Sequence, residues 1–175
     1  MKIRNFIEKY SKAAIDVAFK NNWDYLIILT VAAHESNYGL NSPGNMFFGA
    51  KIPKGWAGKK QLLKTWEEHA TPNVKYPEII SITPFIKNGV QRYRYRIRDY
   101  FKAFDTPEGS FQDYVDKIAK YSRYRKAFES RQNPERYFIE IGKSGYATDS
   151  SYTIKLNKIY KTLTDDISRA NQIVL

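Results

Sequence analysis

The sequence predicts an α+β fold, a mainly helical body carrying one small antiparallel β-lobe. Three observations predict it. Apolar residues recur at helical spacing towards both ends of the chain, turn residues break up the middle, and an Asn-Gly pair separates two runs that read as strands. No internal repeat, low-complexity tract or Gly/Ser linker divides the 175 residues. One domain over 1–175 is therefore expected, with the β-lobe at about 60–105.

The elements follow in order. Phe6, Ile7, Tyr10, Ala13, Ala14, Val17 and Ala18 form the stripe of a first amphipathic helix. Asn21-Asn22 separates it from a second helix that starts near Trp23-Asp24. Residues 26–33 of that helix are apolar on nearly every face, which predicts burial all round. It runs out at His34-Glu35-Ser36-Asn37-Tyr38-Gly39, with Gly39 as the stop. Asn41-Ser42-Pro43-Gly44-Asn45 is turn chemistry, and Pro53, Gly55 and Gly58 punctuate a further loop.

Asn88-Gly89 between 82–87 and 90–97 predicts a hairpin. In its second strand Tyr93, Tyr95 and Ile97 alternate with Arg92, Arg94, Arg96 and Arg98, giving one apolar and one basic face. Pro84 assigns its own strand to an edge. Helices then return. Phe111, Tyr114, Val115 and Ile118 form one stripe, Asn133-Pro134 opens a helix that Gly142 closes, and Tyr152, Leu156, Ile159, Tyr160, Leu163 and Ile167 line the last.

Composition narrows the classes. An apolar share of 42% with 15% aromatics is enough for a packed core. The absence of cysteine excludes disulfide scaffolds, thiolate metal sites and cysteine nucleophiles, and fits either redox compartment. The charged N-terminus has no signal-peptide pattern, and no stretch approaches the roughly 18 apolar residues of a membrane span. The net charge of +11, from 29 Lys and Arg against 18 Asp and Glu, favours a polyanionic partner: nucleic acid, anionic lipid or a bacterial wall. A solvated basic surface explains the same charge equally well.

Glu35 is the first candidate for chemistry. It follows a buried helix and precedes a glycine-bearing turn, a place where desolvation and the negative end of the helix dipole both disfavour a charged carboxylate. A protonated carboxyl is what glycosidic cleavage needs from its proton donor. A solvent-facing glutamate at a helix end is the plainer alternative. His34 and His69 lack a third ligand, and Tyr38 occupies the place of the second His of HExxH, so no metal and no cofactor are expected. No GxSxG is present.

Four blocks carry a resemblance. Glu35-Ser36-Asn37-Tyr38-Gly39 matches an "ESxxG" pattern and Asn45-Met46-Phe47-Phe48-Gly49-Ala50-Lys51 an "NLFGxK" pattern. Phe101 to Asp105 with Ser110 to Tyr114 resembles "FRxYDS…SFxDY", and Gly145 to Tyr152 resembles "GYATDPxY". Together the chain resembles the family-73 glycoside hydrolases, over roughly residues 5 to 165. His34 and Tyr38 depart from the usual small residue and tryptophan of that pattern.

The resemblance implies a lysozyme-like fold and an endo-β-N-acetylglucosaminidase acting on the β-1,4 bonds of peptidoglycan glycan strands, with Glu35 as general acid. Thr65-Trp66-Glu67 fits the family's Thr-x-Glu strand, so Glu67 is the favoured second carboxylate facing Glu35. Alternation along a strand lets only one of Glu67 and Glu68 point inward, and both also fit as surface carboxylates. Glu78 and Asp99 are weaker contenders. Tyr146 is placed in the cleft, against the alternative of a packing plug, and Asp149 as a helix cap. Asn45, Phe47, Tyr38 and Tyr124 are the expected substrate-binding residues, with core packing the alternative for Tyr124.

A muramidase or lytic transglycosylase uses the same single glutamate, so either is an alternative. A non-catalytic binder of wall or nucleic acid would use the Arg face of 92–98. Nucleic acid is the less favoured partner, since it leaves the four blocks unexplained. A monomeric enzyme held electrostatically on an anionic wall is expected, such as a phage lysin or a domain of a longer wall hydrolase, delivered by some route other than a visible leader.

Overall fold

Where each helix stops decides which side chains meet. In the computed structural model, which describes residues 2–172, α1 runs Lys2–Asn21 and buries Phe6, Tyr10, Ala13, Ala14, Val17 and Ala18, the predicted stripe. Asn22 adopts a left-handed φ of 57° and ends it. The next helix, α2 (Tyr25–Glu35), is capped by Asp24, whose carboxylate accepts from the Leu26 N–H at 2.8 Å. Ile27 to Ala33 are all buried. As expected of a helix apolar on every side, α2 packs against α1, α6, α3 and α5.

The chain divides into two compact units. One comprises the two ends, up to Phe48 and from Phe104 onward, and the other is Gly49–Ala103. In the helical unit, α3 (Pro107–Lys120) buries Phe111, Tyr114, Val115 and Ile118. Two short turns of helix, Ser122–Tyr124 and α4 (Arg125–Glu129), lead to α5 (Pro134–Lys143). Asn133 caps α5 by accepting from the Arg136 N–H at 3.0 Å, with Pro134 at its first position.

Gly142 does not close this helix, contrary to expectation. It lies inside α5, where a Cβ would collide with the Thr153 hydroxyl, and the positive φ falls on Gly145 at 72°. Asp149 accepts from the N–H and hydroxyl of Ser151 at 2.8 and 2.7 Å, holding the turn into α6 (Tyr152–Gln172).

The other unit is a three-stranded antiparallel sheet in the order β1-β3-β2, formed by β1 (Lys60–His69), β2 (Glu78–Lys87) and β3 (Val90–Lys102). Asn88 and Gly89, at φ 51° and 75°, make the predicted hairpin turn. Pro84 lies on β2, an edge strand, as expected. A register shift between Ile79 and Ser81 bends that edge. Alternation along β3 is strict. Tyr95 and Ile97 are 0% exposed on one face, and Arg94 and Arg96 are exposed on the other. Tyr95 is the plug of this unit. Its ring packs on His69 and Tyr76, and its hydroxyl accepts from the Val74 N–H at 3.2 Å.

Candidate functional site

The helical unit places Glu35 at the last residue of α2. Its side chain is exposed, which corrects the expectation of a desolvated carboxyl: the buried run ends at Ala33, and Glu35 lies beyond it. One oxygen is engaged. The Tyr152 hydroxyl donates to Glu35 Oε1 at 2.8 Å. The Tyr152 side chain comes from the start of α6, is 2% exposed, and packs its ring edge-on against His34 at 5.2 Å. Burial and the nearby Glu35 carboxylate push the Tyr152 phenol far up. It therefore stays a neutral donor throughout the physiological range.

The backbone after Glu35 is held tightly. Ser36 is 0% exposed, and its hydroxyl donates to Ala32 O at 2.5 Å and accepts from the Gly39 N–H at 2.8 Å. Asn37, Tyr38 and Gly39 then follow with φ of 52°, 59° and 76°, three left-handed residues in a row. A Cβ on Gly39 would collide with the Tyr10 ring at 2.7 Å, so the turn lies flat against α1. The Ser and Gly of the "ESxxG" block are thus the residues that fix the chain leaving the glutamate.

Tyr146 joins the same cluster. Its ring lies 6.0 Å from Tyr152, 6.0 Å from Tyr114 and 5.9 Å from Tyr124, with the Lys117 ammonium 4.7 Å over it. Burial, then the Glu35 charge, pushes its phenol well up. Tyr146 thus packs among these rings and lies within the electrostatic reach of Glu35. Tyr38 is half-buried, with its ring edge-on to Phe6 and the Lys2 ammonium 5.0 Å over it. Burial raises its phenol also.

The other expected substrate contacts also lie in the helical unit. Phe47 is 1% exposed between Tyr10 and Phe111, and Tyr124 is 6% exposed. Rings so covered present no face to a sugar. Asn45 donates its amide to Phe104 O and Asp105 O at 3.1 and 3.0 Å, holding together two segments of the helical unit. Phe48 and Met46 are core residues, with Phe48 stacked on Tyr114 at 4.3 Å.

The sheet unit carries the other carboxylates. Glu67 and Glu68 do diverge, as alternation requires. Glu68 shares the arginine face, where Lys87 at 2.8 Å and Arg94 at 2.9 Å hold its carboxyl below the usual range. Glu67 shares the face of Tyr95 and Asp99. Lys51 Nζ lies 2.6 Å from Glu67 Oε1 and 3.1 Å from Asp99 Oδ2, one cation bridging two carboxylates. Burial works to lower the Lys51 ammonium, but its bonds to Glu67 and Asp99 outweigh this and leave it raised. Backbone pairing holds Lys51 there: the Lys102 N–H donates to Ala50 O at 2.8 Å, beside a bridge between Lys51 and Phe101. Glu78 pairs with Arg98 at 3.1 Å.

Sequence reasoning missed the roles of Tyr152 and Lys51. Both stand in the blocks, Tyr152 closing "GYATDPxY" and Lys51 closing "NLFGxK", but Tyr152 read as a core stripe residue and Lys51 carried no role beyond its block. Among the described residues, no group of three or more His, Cys, Asp or Glu could hold a metal ion, and no helix is long and apolar enough to cross a membrane.

Comparison with known proteins places these features in a family. The family model for mannosyl-glycoprotein endo-β-N-acetylglucosaminidase matches residues 11–165. Among curated proteins, the peptidoglycan hydrolase FlgJ of Vibrio cholerae is 26% identical over 161 residues, 89% of this chain and 42% of that one. The glycoside hydrolase domain of Salmonella typhimurium FlgJ superposes with a TM-score of 0.69 at 19% identity, covering 99% of this chain and 96% of that one. The catalytic domain of the Listeria monocytogenes autolysin Auto gives 0.68 at 24% identity, covering 94% and 85%. The chain spans less than half the length of the curated relatives it matches.

Proposed function

As the chain belongs to the mannosyl-glycoprotein endo-β-N-acetylglucosaminidase family, we propose that it hydrolyses the N-acetylglucosaminyl β-1,4 bond of peptidoglycan glycan strands with Glu35 as proton donor. The observation that carries this reading is the Tyr152 hydroxyl on Glu35 Oε1 at 2.8 Å, at the end of a buried helix. One carboxyl oxygen is held by a neutral donor, and the other is left for the glycosidic oxygen.

The chemistry then runs through groups already in place. Glu35 gives its proton to the glycosidic oxygen as the bond from that oxygen to the anomeric carbon breaks. The Tyr152 hydroxyl stabilises the carboxylate left behind, since a charged acceptor takes a stronger hydrogen bond than a neutral one. Water supplies the new hydroxyl at the anomeric carbon, and its spare proton restores Glu35. Glu67 is the proposed second carboxylate, opposing the positive charge that develops on the sugar ring. Tyr146, neutral at working pH, serves as a hydrogen-bonding group for the acetamido substituent, and Tyr38 offers a partly open ring to the glycan.

Digestion of purified peptidoglycan by wild type and Glu35→Gln tests the proposal, with products reduced and identified by mass spectrometry. Reduced N-acetylglucosamine ends are expected from wild type, and their loss from Glu35→Gln. Reduced muramic ends would make the enzyme a muramidase, anhydro-muramic ends a transglycosylase. Equal activity in Glu35→Gln would overturn the assignment of the acid. The enzyme works at the bacterial wall under this reading, and the basic surface of the chain suits that anionic substrate.

A further inference from the structure

The arginine face of the sheet remains unused by this mechanism. Tyrosine and arginine alternate along β3, so pleating sends them to opposite sides. Two aromatics share the arginine face: Phe85 of β2, half-buried with the Arg94 guanidinium 4.9 Å over its ring, and the more open Trp66 of β1, directly opposite Arg96 in the register. Trp66 is 57% exposed, a large cost for an indole with no partner, and the Arg96 guanidinium lies 5.6 Å from its ring centre. Lys64, two residues before Trp66 on the same face, is exposed as well.

Charge on this face is unevenly compensated. Arg94 is paired with Glu68 and Arg98 with Glu78. Among the described residues, no carboxylate pairs with Arg96 or Lys64, so uncompensated positive charge collects around the open indole.

We propose that this face is a second, non-catalytic binding surface for carboxylate-bearing glycan, centred on Trp66, Arg96 and Lys64. This rests on the peptidoglycan reading of the function. A flat indole suits the apolar C–H face of a pyranose ring. The two free cations beside it match the carboxylates that peptide stems carry along such a strand. Nucleic acid fits less well: it asks for a run of free cations with several stacking platforms. Here two of the arginines are neutralised, and Tyr93 and Tyr95 lie on the other face. Binding here would keep the enzyme on insoluble substrate between cleavages, by raising its local concentration.

The test is co-sedimentation with insoluble peptidoglycan sacculi in a Glu35→Gln background, which leaves the substrate intact. Trp66→Ala and the pair Lys64→Gln with Arg96→Gln are each expected to weaken sacculus binding about tenfold. In the otherwise wild-type enzyme the same changes should slow digestion of sacculi. Cleavage of short soluble glycan fragments should stay within about twofold of wild type, which also shows that the variants fold. Unchanged sedimentation of both variants overturns the proposal. So does an equal loss on soluble fragments, or tighter wild-type binding to a single-stranded oligonucleotide that the same variants abolish. If wild type cleaves nothing yet sedimentation depends on Trp66, the hydrolase reading fails while the binding surface stands.

Discussion

The Tyr152 hydroxyl donates to Glu35 Oε1 at 2.8 Å across 117 positions of sequence. The donor ring is buried in the core. Tyr152→Phe keeps the ring and removes the donor. A fall in kcat of about tenfold or more is expected, with KM changed less than about twofold, because the lost bond strengthens as negative charge forms. Circular dichroism should be unchanged. Steady-state kinetics on soluble glycan fragments decide it, and an unaltered kcat would remove Tyr152 from the mechanism.

Lys51 bridges Glu67 and Asp99, so Lys51→Met leaves two carboxylates facing each other without their cation. Hydrolysis should fall while Lys51→Arg recovers part of it, because the charge matters more than the shape of its carrier. The direct effect on stability is small, about 1 kcal/mol, since the pair is partly solvated. Its pH dependence has a definite sign. The folded protein raises the Lys51 ammonium above its ordinary 10.5. The stabilisation is thus complete below that value and lost as pH rises through the raised one. The melting temperature of wild type minus that of Lys51→Met should shrink towards zero as pH rises through and beyond 10.5. A difference constant through that range would contradict the ion-pair account.

Gly39 sits at φ 76° with the Tyr10 ring where a Cβ would be. Gly39→Ala therefore meets both backbone strain and a clash, and should cost about 2 kcal/mol or more. Urea denaturation measures it. The turn displaced is the one that follows Glu35, so activity should fall further than the lost stability explains. Full activity at a temperature where the variant is folded would show that the turn does not position the glutamate.

How far the sequence revealed this molecule depended on whether a feature is local. Both faces of β3, the Asn88-Gly89 turn, the Asn133 cap and the buried α2 follow from period and turn chemistry within a dozen residues, and all were legible. Gly142 was misread because a glycine near a helix end suits a stop as well as a close approach. Only the position of Thr153 separates the two. Burial of Phe47 and Tyr124 likewise depends on what the rest of the chain lays over them. Glu35 was legible as a candidate from its place after an apolar run, yet that run ends two residues too early to bury it. Its contact with Tyr152 joins distant segments and has no signature in either.

Tyr114 and Tyr137 test the polar core beneath the cluster. Both rings are essentially unexposed, and their hydroxyls meet at 2.5 Å, each the other's partner. Burial drives both phenols far up, so neither ionises under working conditions. Tyr114→Phe or Tyr137→Phe alone strands one buried hydroxyl, at a cost of about 1–3 kcal/mol. Changing both removes the stranded group, so the double variant should be destabilised by less than the sum of the two singles, and by little more than either. Urea midpoints for the four proteins give the coupling directly. Additive losses would mean that each hydroxyl finds another partner, and the pair would then not be the closed unit its geometry describes. Because the Tyr114 ring packs edge-on to Tyr146 at 6.0 Å, a rearranged pair should also disturb hydrolysis, whereas the expected closed pair leaves kcat in the double variant near that of wild type.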